Sequence, residues 1–476
     1  MFSMFSFPRI FAFLVLLAFT LPLACTKAAA PAAAGPGVQW VCTTEAKPWA
    51  TMPAVPLAAD PAATPVLKIF PKRTLQTIDG FGGCFNELGW IALQKLPAPA
   101  REQALKALFD DSGCGFTLAR MPIGASDFGA DWYSLDDTYN DFDMAHFNID
   151  RDKKCLIPYI KAAMAYSKSL KVWGSAWSPP TWMKDSNTYH GGSLRTTPQN
   201  LTAYAKYLAL YAENYRMEGI NVYAVHVQNE PTIDSKYPSC LWTGTQIRDF
   251  VRDYMGPTFK DRKLDAEIWL GTIQDGNFCD TVDTVLSDPK ASAFITGVAV
   301  QYNGKFQIED ISRVYPEKKI IQSETECFSG ANDWDDAEYT YMLMQHYLSH
   351  GAASYFMWNM VLNETGKSSW DWRQNSMITA DTTTGKVIFH PEFYLMQHFS
   401  HFVKPGAKRI FVAGSWGYKI GFQNPDGSII LIVANLAARD AIAEEVPFTV
   451  ALADDPRTFS FTVPPHSFNT FIIPAK

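Results

Sequence analysis

Several kinds of signal are missing from this 476-residue chain, and each gap removes a class of function. Lysine and arginine total 41 against 48 acidic residues, a net charge of −7. With no basic excess to neutralise phosphates, the balance argues against a nucleic-acid partner. The cysteines, at positions 25, 42, 84, 114, 155, 240, 279 and 327, include no CxxC pair and no Cys/His spacing of a zinc site. No metal and no cofactor is expected, and most of these thiols read as small buried hydrophobes. No GxGxxG opens the first apolar unit, which counts against a dinucleotide-binding sheet. Charged residues make up only 19%, so disorder is not expected beyond the N-terminus.

What is present begins with an export signal. Arg9 precedes an apolar run over 10–24 that is too short to span a bilayer as a helix and fits a secretory leader. Residues 1–24 are therefore read as a signal peptide, and the chain as exported to the periplasm, the outer surface or the medium. Cys25 follows Leu-Pro-Leu-Ala. That places it where a bacterial lipoprotein carries its lipid, although Pro22 stands where Leu is usual. Lipid attachment to a membrane through Cys25 and simple release are both open. Residues 25–37 are rich in Ala, Pro and Gly and read as a tether.

Residues 38–75 hold β-like runs that pair outside the next domain. From 76 to 403 apolar strands and helical patterns alternate. Strands are expected at 77–84, 116–123, 172–177, 222–230, 267–272, 295–302, 319–324 and 353–360, with helices at 101–109, 156–170, 201–217, 245–255, 308–314 and 334–348. Eight repeats over this length predict a (β/α)8 TIM barrel, with a doubly wound sheet as the structural alternative. Beyond 404 the composition changes to short β-runs separated by turns such as Asn424-Pro425-Asp426-Gly427. This predicts an appended all-β sandwich over 404–476, completed by the early runs near 38 and 66.

Two expected strands end in acid. The run 221–231 delivers Asn229-Glu230 before a proline, and 318–326 ends in Glu324 and Glu326. Alternation puts Ala224, His226, Gln228 and Glu230 on one face, with Tyr223, Val225, Val227 and Asn229 on the other. A barrel carries its reactive groups at the C-terminal strand ends. A pair of carboxyls there suits glycosidic cleavage, in which one protonates the leaving oxygen and the other attacks the anomeric carbon or activates water. Spacing alone does not choose between Glu324 and Glu326. Trp177, Tyr302 and Trp358, at other strand ends, are candidate walls for the C–H faces of a sugar, or rim packing. Asp127 reads equally as a loop cap, and His226 as a satisfied residue inside the barrel.

Six collinear motifs resemble glycoside hydrolase family 30, the glucocerebrosidase-like group, from about residue 76 to the end. They are GFGGCFNE (80–87), LARMPIGASDF (118–128), WSPPTWMK (177–184), VQNEPTIDSKYPSCLW (227–242), IIQSETECFSG (320–330) and FMWNMVLNETG (356–366). The resemblance implies a barrel with a β-sandwich and a retaining double displacement. It makes Glu230 the acid/base and Glu324 the nucleophile, and it puts Arg120, Asp127, Trp177, Asn229, Trp358 and Asn375 around the glycone. The glucocerebrosidase branch carries His-Trp-Tyr after the sixth strand, where this chain has Gln301-Tyr302-Asn303-Gly304-Lys305. That looks closer to the endo-β-1,6-glucanase branch, so a β-glucan is expected ahead of a glucosylceramide or another exo-cleaved β-glucoside or β-xyloside. The reading from another class is a non-catalytic glycan-binding lipoprotein. Oligomeric state is not legible in the sequence.

Overall fold

The computed structural model of the protein describes residues 37–60, 62–436 and 444–475. The expected leader, Cys25 and nearly all of the tether lie outside them.

Eight parallel strands form one sheet: Gly80–Cys84, Leu118–Pro122, Lys171–Ser175, Val222–His226, Glu267–Ile273, Ile295–Val300, Lys319–Gln322 and Ser354–Asn359. They pair in chain order, and the eighth returns to pair with the first. Between the seventh and eighth the ladder thins to single bonds, Ala353 N to Ile320 O at 2.8 Å and Thr325 N to Phe356 O at 3.0 Å, which close the barrel.

Alternation along the strands decides what fills it. Leu118, Trp173, Ala224, Trp269, Ala299, Ile321 and Phe356 form an apolar plug to which strands two to eight each contribute one residue. The first strand gives a glycine instead, because a Cβ on Gly82 would lie 1.9 Å from the Leu118 carbonyl oxygen. Two residues further along the same faces come Arg120, Ser175, His226, Gln301, Ser323 and Trp358, all buried. The period of two thus converts an apolar plug into a polar floor at the C-terminal end.

The fourth strand is shorter than expected, ending at His226 rather than at 230. Beyond it only an isolated bridge joins Asn229 to Thr272. Helices Glu87–Lys95 and Pro391–Ser400 and a small sheet of Val361–Asn363, Ile378–Asp381 and Lys386–Phe389 were not expected. In Pro391–Ser400 all but two residues are buried, so no polar face was left to give a helical period.

The second sheet is mixed and mostly antiparallel. Val38–Thr44 pairs with Ser467–Ile473, and Leu67–Thr77 pairs with Lys408–Gly414 and, in parallel, with Val446–Leu452. Its inner core includes Trp40, Leu67, Leu431, Phe448, Phe461 and Phe471. The other face, including Ile430, Ile432 and Phe468, joins the barrel's helical layer. Ile429–Asn435 is buried on both faces, and so reads as an unbroken apolar run. Strand Lys47–Val55 was missed; Pro48 and Pro53 are tolerated there because it lies at the sheet's edge. Within the seam His398 bonds through Nδ1 to Thr470 Oγ1 and through Nε2 to Thr43 Oγ1, each at 2.8 Å.

Candidate active site

A pocket of about 440 Å3 opens over the polar floor, lined by Asp127, Trp177, Glu230, Tyr302 and Glu324 together with Tyr237, Trp372 and Gln374 from the loops. A larger cavity, about 640 Å3, lies at the opposite end of the barrel, where Asp79 and Lys319 precede and begin their strands. Those two charges are paired with each other at 2.8 Å.

Arg120 organises the floor. It is fully buried, which a guanidinium tolerates only when paired and hydrogen-bonded. Nη1 donates to Glu324 Oε2 at 2.7 Å and to the Ser323 carbonyl at 3.2 Å. Nη2 donates to Asn229 Oδ1 at 2.5 Å and Nε to Ser175 Oγ at 3.2 Å. The faces of Trp177 and Trp358 flank the cation, with centroids 4.6 and 5.2 Å away.

The two acids reach this floor from different strands. Asn229 N donates to Ala176 O at 2.8 Å, toward the third strand, and Glu230 N to Thr272 O at 3.1 Å, toward the fifth. Strict alternation would send their side chains to opposite faces, as the sequence suggested. Instead Glu230 takes a left-handed backbone with φ of 48°. That turn brings consecutive side chains to one site, and non-glycine residues rarely adopt it without a structural demand. Tyr302, at the end of the sixth strand, does the same with φ of 46°.

Glu230 and Glu324 share a donor. Gln301 Nε2 donates to Glu230 Oε1 at 3.1 Å and to Glu324 Oε2 at 3.2 Å. One amide nitrogen within reach of both carboxyls holds them close together, toward the short end of the spacings that glycosidic carboxyl pairs adopt. Tyr237 donates from its hydroxyl to Glu230 Oε2 at 2.7 Å, and Tyr302 to Glu324 Oε1 at 3.1 Å. Burial pushes the Tyr302 phenol well above its usual range, so it stays a neutral donor.

Burial is also the largest influence on both carboxyls and raises both. Glu324 is pushed up to about 7, with the Arg120 cation opposing and the Glu230 charge adding to the rise. At Glu230 the rise is opposed by the bonds from Tyr237 and Gln301. The pair titrates together, so the protons belong to the dyad. Direct contact with Arg120 favours the pair's first negative charge on Glu324, which leaves the retained proton to Glu230.

The other expected residues divide. Asp127 lies in the pocket, with burial and then the charges of Glu324 and Glu230 pushing its carboxyl well up, and its Oδ1 finds no protein partner. Trp177 lines the pocket; Trp358 packs behind it at 5.5 Å and 1% exposed, so it is a support rather than a wall. Asn375 is a correction: its side chain turns away to Asp336 at 3.0 Å and Glu392 at 3.3 Å, and the neighbouring Gln374 faces the pocket. Glu326 pairs with Lys305 at 2.8 Å outside the pocket. His226 is stacked between Trp173 and Trp269 inside the barrel. Tyr237, Gln374 and Trp372 were missed. Each sits on a loop, where no period ties sequence position to direction; for Gln301 the strand-end position was visible, but not its bridging role.

Comparison with known proteins gives two family matches: the glycosyl hydrolase family 30 TIM-barrel domain over residues 78–403 and the family 30 beta sandwich domain over 406–471. The chain is 30% identical to putative glucosylceramidase 1 of Caenorhabditis elegans, across 87% of this chain and 84% of that protein. It is 26% identical to endo-1,6-beta-D-glucanase of Neurospora crassa, across 85% and 87%. Among solved structures, SrfJ from Salmonella typhimurium superposes with a TM-score of 0.84 at 27% identity, covering 92% of this chain and all of that one.

Proposed function

The chain belongs to glycosyl hydrolase family 30, an O-glycosyl hydrolase family, and from that premise we propose that it cleaves β-1,6-glucan internally, with retention of configuration. The observation that supports the mechanism is the Gln301 amide within reach of both carboxyls, which fits the close spacing of a retaining pair. Glu324 attacks the anomeric carbon while Glu230 gives its proton to the departing glycosidic oxygen. A covalent glycosyl ester forms on Glu324 and its negative charge disappears. Glu230, now ionised, takes a proton from an entering water, which displaces Glu324 and completes the hydrolysis. In this scheme Asn229, whose Oδ1 accepts from Arg120 and from Thr272 Oγ1 at 2.8 Å, bonds the sugar 2-hydroxyl through its amide nitrogen.

The pocket rim supports a glycan over a lipid-linked glucoside. Thr232, Gln274, Asp275, Asn303 and Gln374 are polar, and Ile233 is the one aliphatic side chain lining it. A sugar chain meets these polar side chains with its hydroxyls, which a ceramide tail cannot do. The Neurospora crassa relative named an endo-1,6-beta-D-glucanase supports the same linkage. The same reading takes the chain to be exported, on Arg9 and the apolar run after it, with Cys25 as the candidate lipid anchor.

The test is a panel of pustulan, β-1,3- and β-1,4-glucans, xylan and glucosylceramide, read by the released sugars. A ladder of oligosaccharides from pustulan is the expected result. Glucose from glucosylceramide with pustulan intact overturns the substrate, and no cleavage anywhere on the panel overturns the activity.

A further inference from the structure

Trp370 and Trp372 have no part in the scheme above. They lie 5.0 Å apart with rings tilted by 59°, on the loop that follows the eighth barrel strand. Trp372 is 38% exposed and lines the pocket. Trp370 packs against Tyr237 at 5.5 Å, and Tyr237 is the residue whose hydroxyl donates to Glu230. An aromatic path therefore runs from Glu230 outward to solvent.

The loop is built to hold these rings. Lys367 and Arg373 form a β-bridge, and Gln374 N donates to Gly366 O at 2.9 Å. Ser368 grips Trp372 twice, its N–H to the Trp372 carbonyl at 2.9 Å and its hydroxyl accepting the Trp372 N–H at 3.0 Å. Ser369 Oγ ties the hairpin to the Asp127 carbonyl at 3.3 Å. Holding an indole more than a third exposed on a hydrogen-bonded hairpin gains little packing, and a contact with something outside the chain explains it.

The position of Glu230 settles which part of a substrate that is. Its carboxyl must lie within hydrogen-bond reach of the scissile oxygen, and the departing ring is bonded to that same oxygen. The side chains that follow Glu230 outward are Tyr237, then Trp370 and Trp372. An indole face suits the C–H face of a pyranose, apolar in the middle with hydroxyls around the edge. Resting on the functional reading above, we propose that Trp370 and Trp372, backed by Tyr237, form a binding platform for the sugar ring on the leaving-group side. The platform makes the enzyme favour a chain over a substrate whose leaving group carries no ring.

The experiment compares Trp372→Ala with the parent on gentiotetraose and on β-gentiobiosyl fluoride, whose leaving group is a single atom. The expected result is a loss in kcat/KM of about tenfold or more on gentiotetraose, carried mainly by KM, against less than about threefold on the fluoride. Trp372→Phe should recover most of the loss, and its melting curve and that of Trp372→Ala should match the parent's. Equal losses on both substrates, or no loss on gentiotetraose, overturn the platform while leaving the glucanase reading intact. If the parent instead cleaves glucosylsphingosine and no glucan, the functional reading fails and this inference falls with it.

Discussion

A buried pair of carboxyls carries one negative charge more cheaply than two, and Arg120 decides where that charge sits. With that charge on Glu324, Glu230 is still neutral while Glu324 ionises, so a neutral glutamine in its place has a defined effect. In Glu230→Gln, with a fluoride or dinitrophenyl leaving group that needs no acid, the rising limb of the kcat/KM profile should stay where it is in the parent. A limb that moves clearly to lower pH would show that Glu230 is already charged while Glu324 titrates, and would reverse the assignment. With an unactivated glucan the same variant should lose about a hundredfold or more of kcat, the scale of general acid catalysis. The left-handed turn at Glu230 belongs to this scale too. Composition and period placed the acid at a strand end, but alternation alone would have sent Asn229 to the other face; the strand's phase breaks after His226, where Gln228 turns to Trp242, and the φ of 48° then brings Glu230 to the same floor as Asn229.

At the scale of elements, the eight barrel strands were legible because each buries an alternating or continuous apolar run against the plug and the helices. What was not legible lies where that signal stops. Asn375 and Gln374 are neighbours on a loop, and the residue that reaches the pocket is settled by the bonds of Asn375 to Asp336 and Glu392. The helix Glu87–Lys95 hides behind the glycine-rich first strand, but its cap connects directly to the site. Asn86 Oδ1 accepts from Gly89 N at 2.7 Å, and Asn86 Nδ2 donates to Asn359 Oδ1 at 3.1 Å. Asn359 in turn donates to Gln374 Oε1 at 2.9 Å. Asn86→Ala should therefore lower stability by about 1–2 kcal/mol through the lost cap, and also raise KM through a loosened Gln374. Denaturant unfolding with a parallel kinetic assay checks both; an unchanged KM would separate the cap from the pocket.

At the scale of the whole molecule, barrel and sandwich meet through a neutral histidine. His398 is fully buried between two threonine hydroxyls, and burial holds its imidazole down to about 3. A histidine that protonates near 6.5 when unfolded and near 3 when folded binds more protons in the unfolded chain over that window. Its contribution to stability is whole above the upper value and is lost as pH falls through the window, at up to about 1.4 kcal/mol per pH unit. His398→Gln should flatten the decline in unfolding free energy between pH 6.5 and 4. A slope equal to the parent's would mean the seam does not titrate.

The account turns on the claim that Glu324 makes a bond to the sugar rather than activating water. The most direct test is proton NMR of the first sugars released from a β-1,6-gluco-oligosaccharide, before mutarotation mixes the anomers. The account predicts that the new reducing end is β at the earliest time points. An α anomer arriving first would mean inversion, and Glu324 could not be the nucleophile.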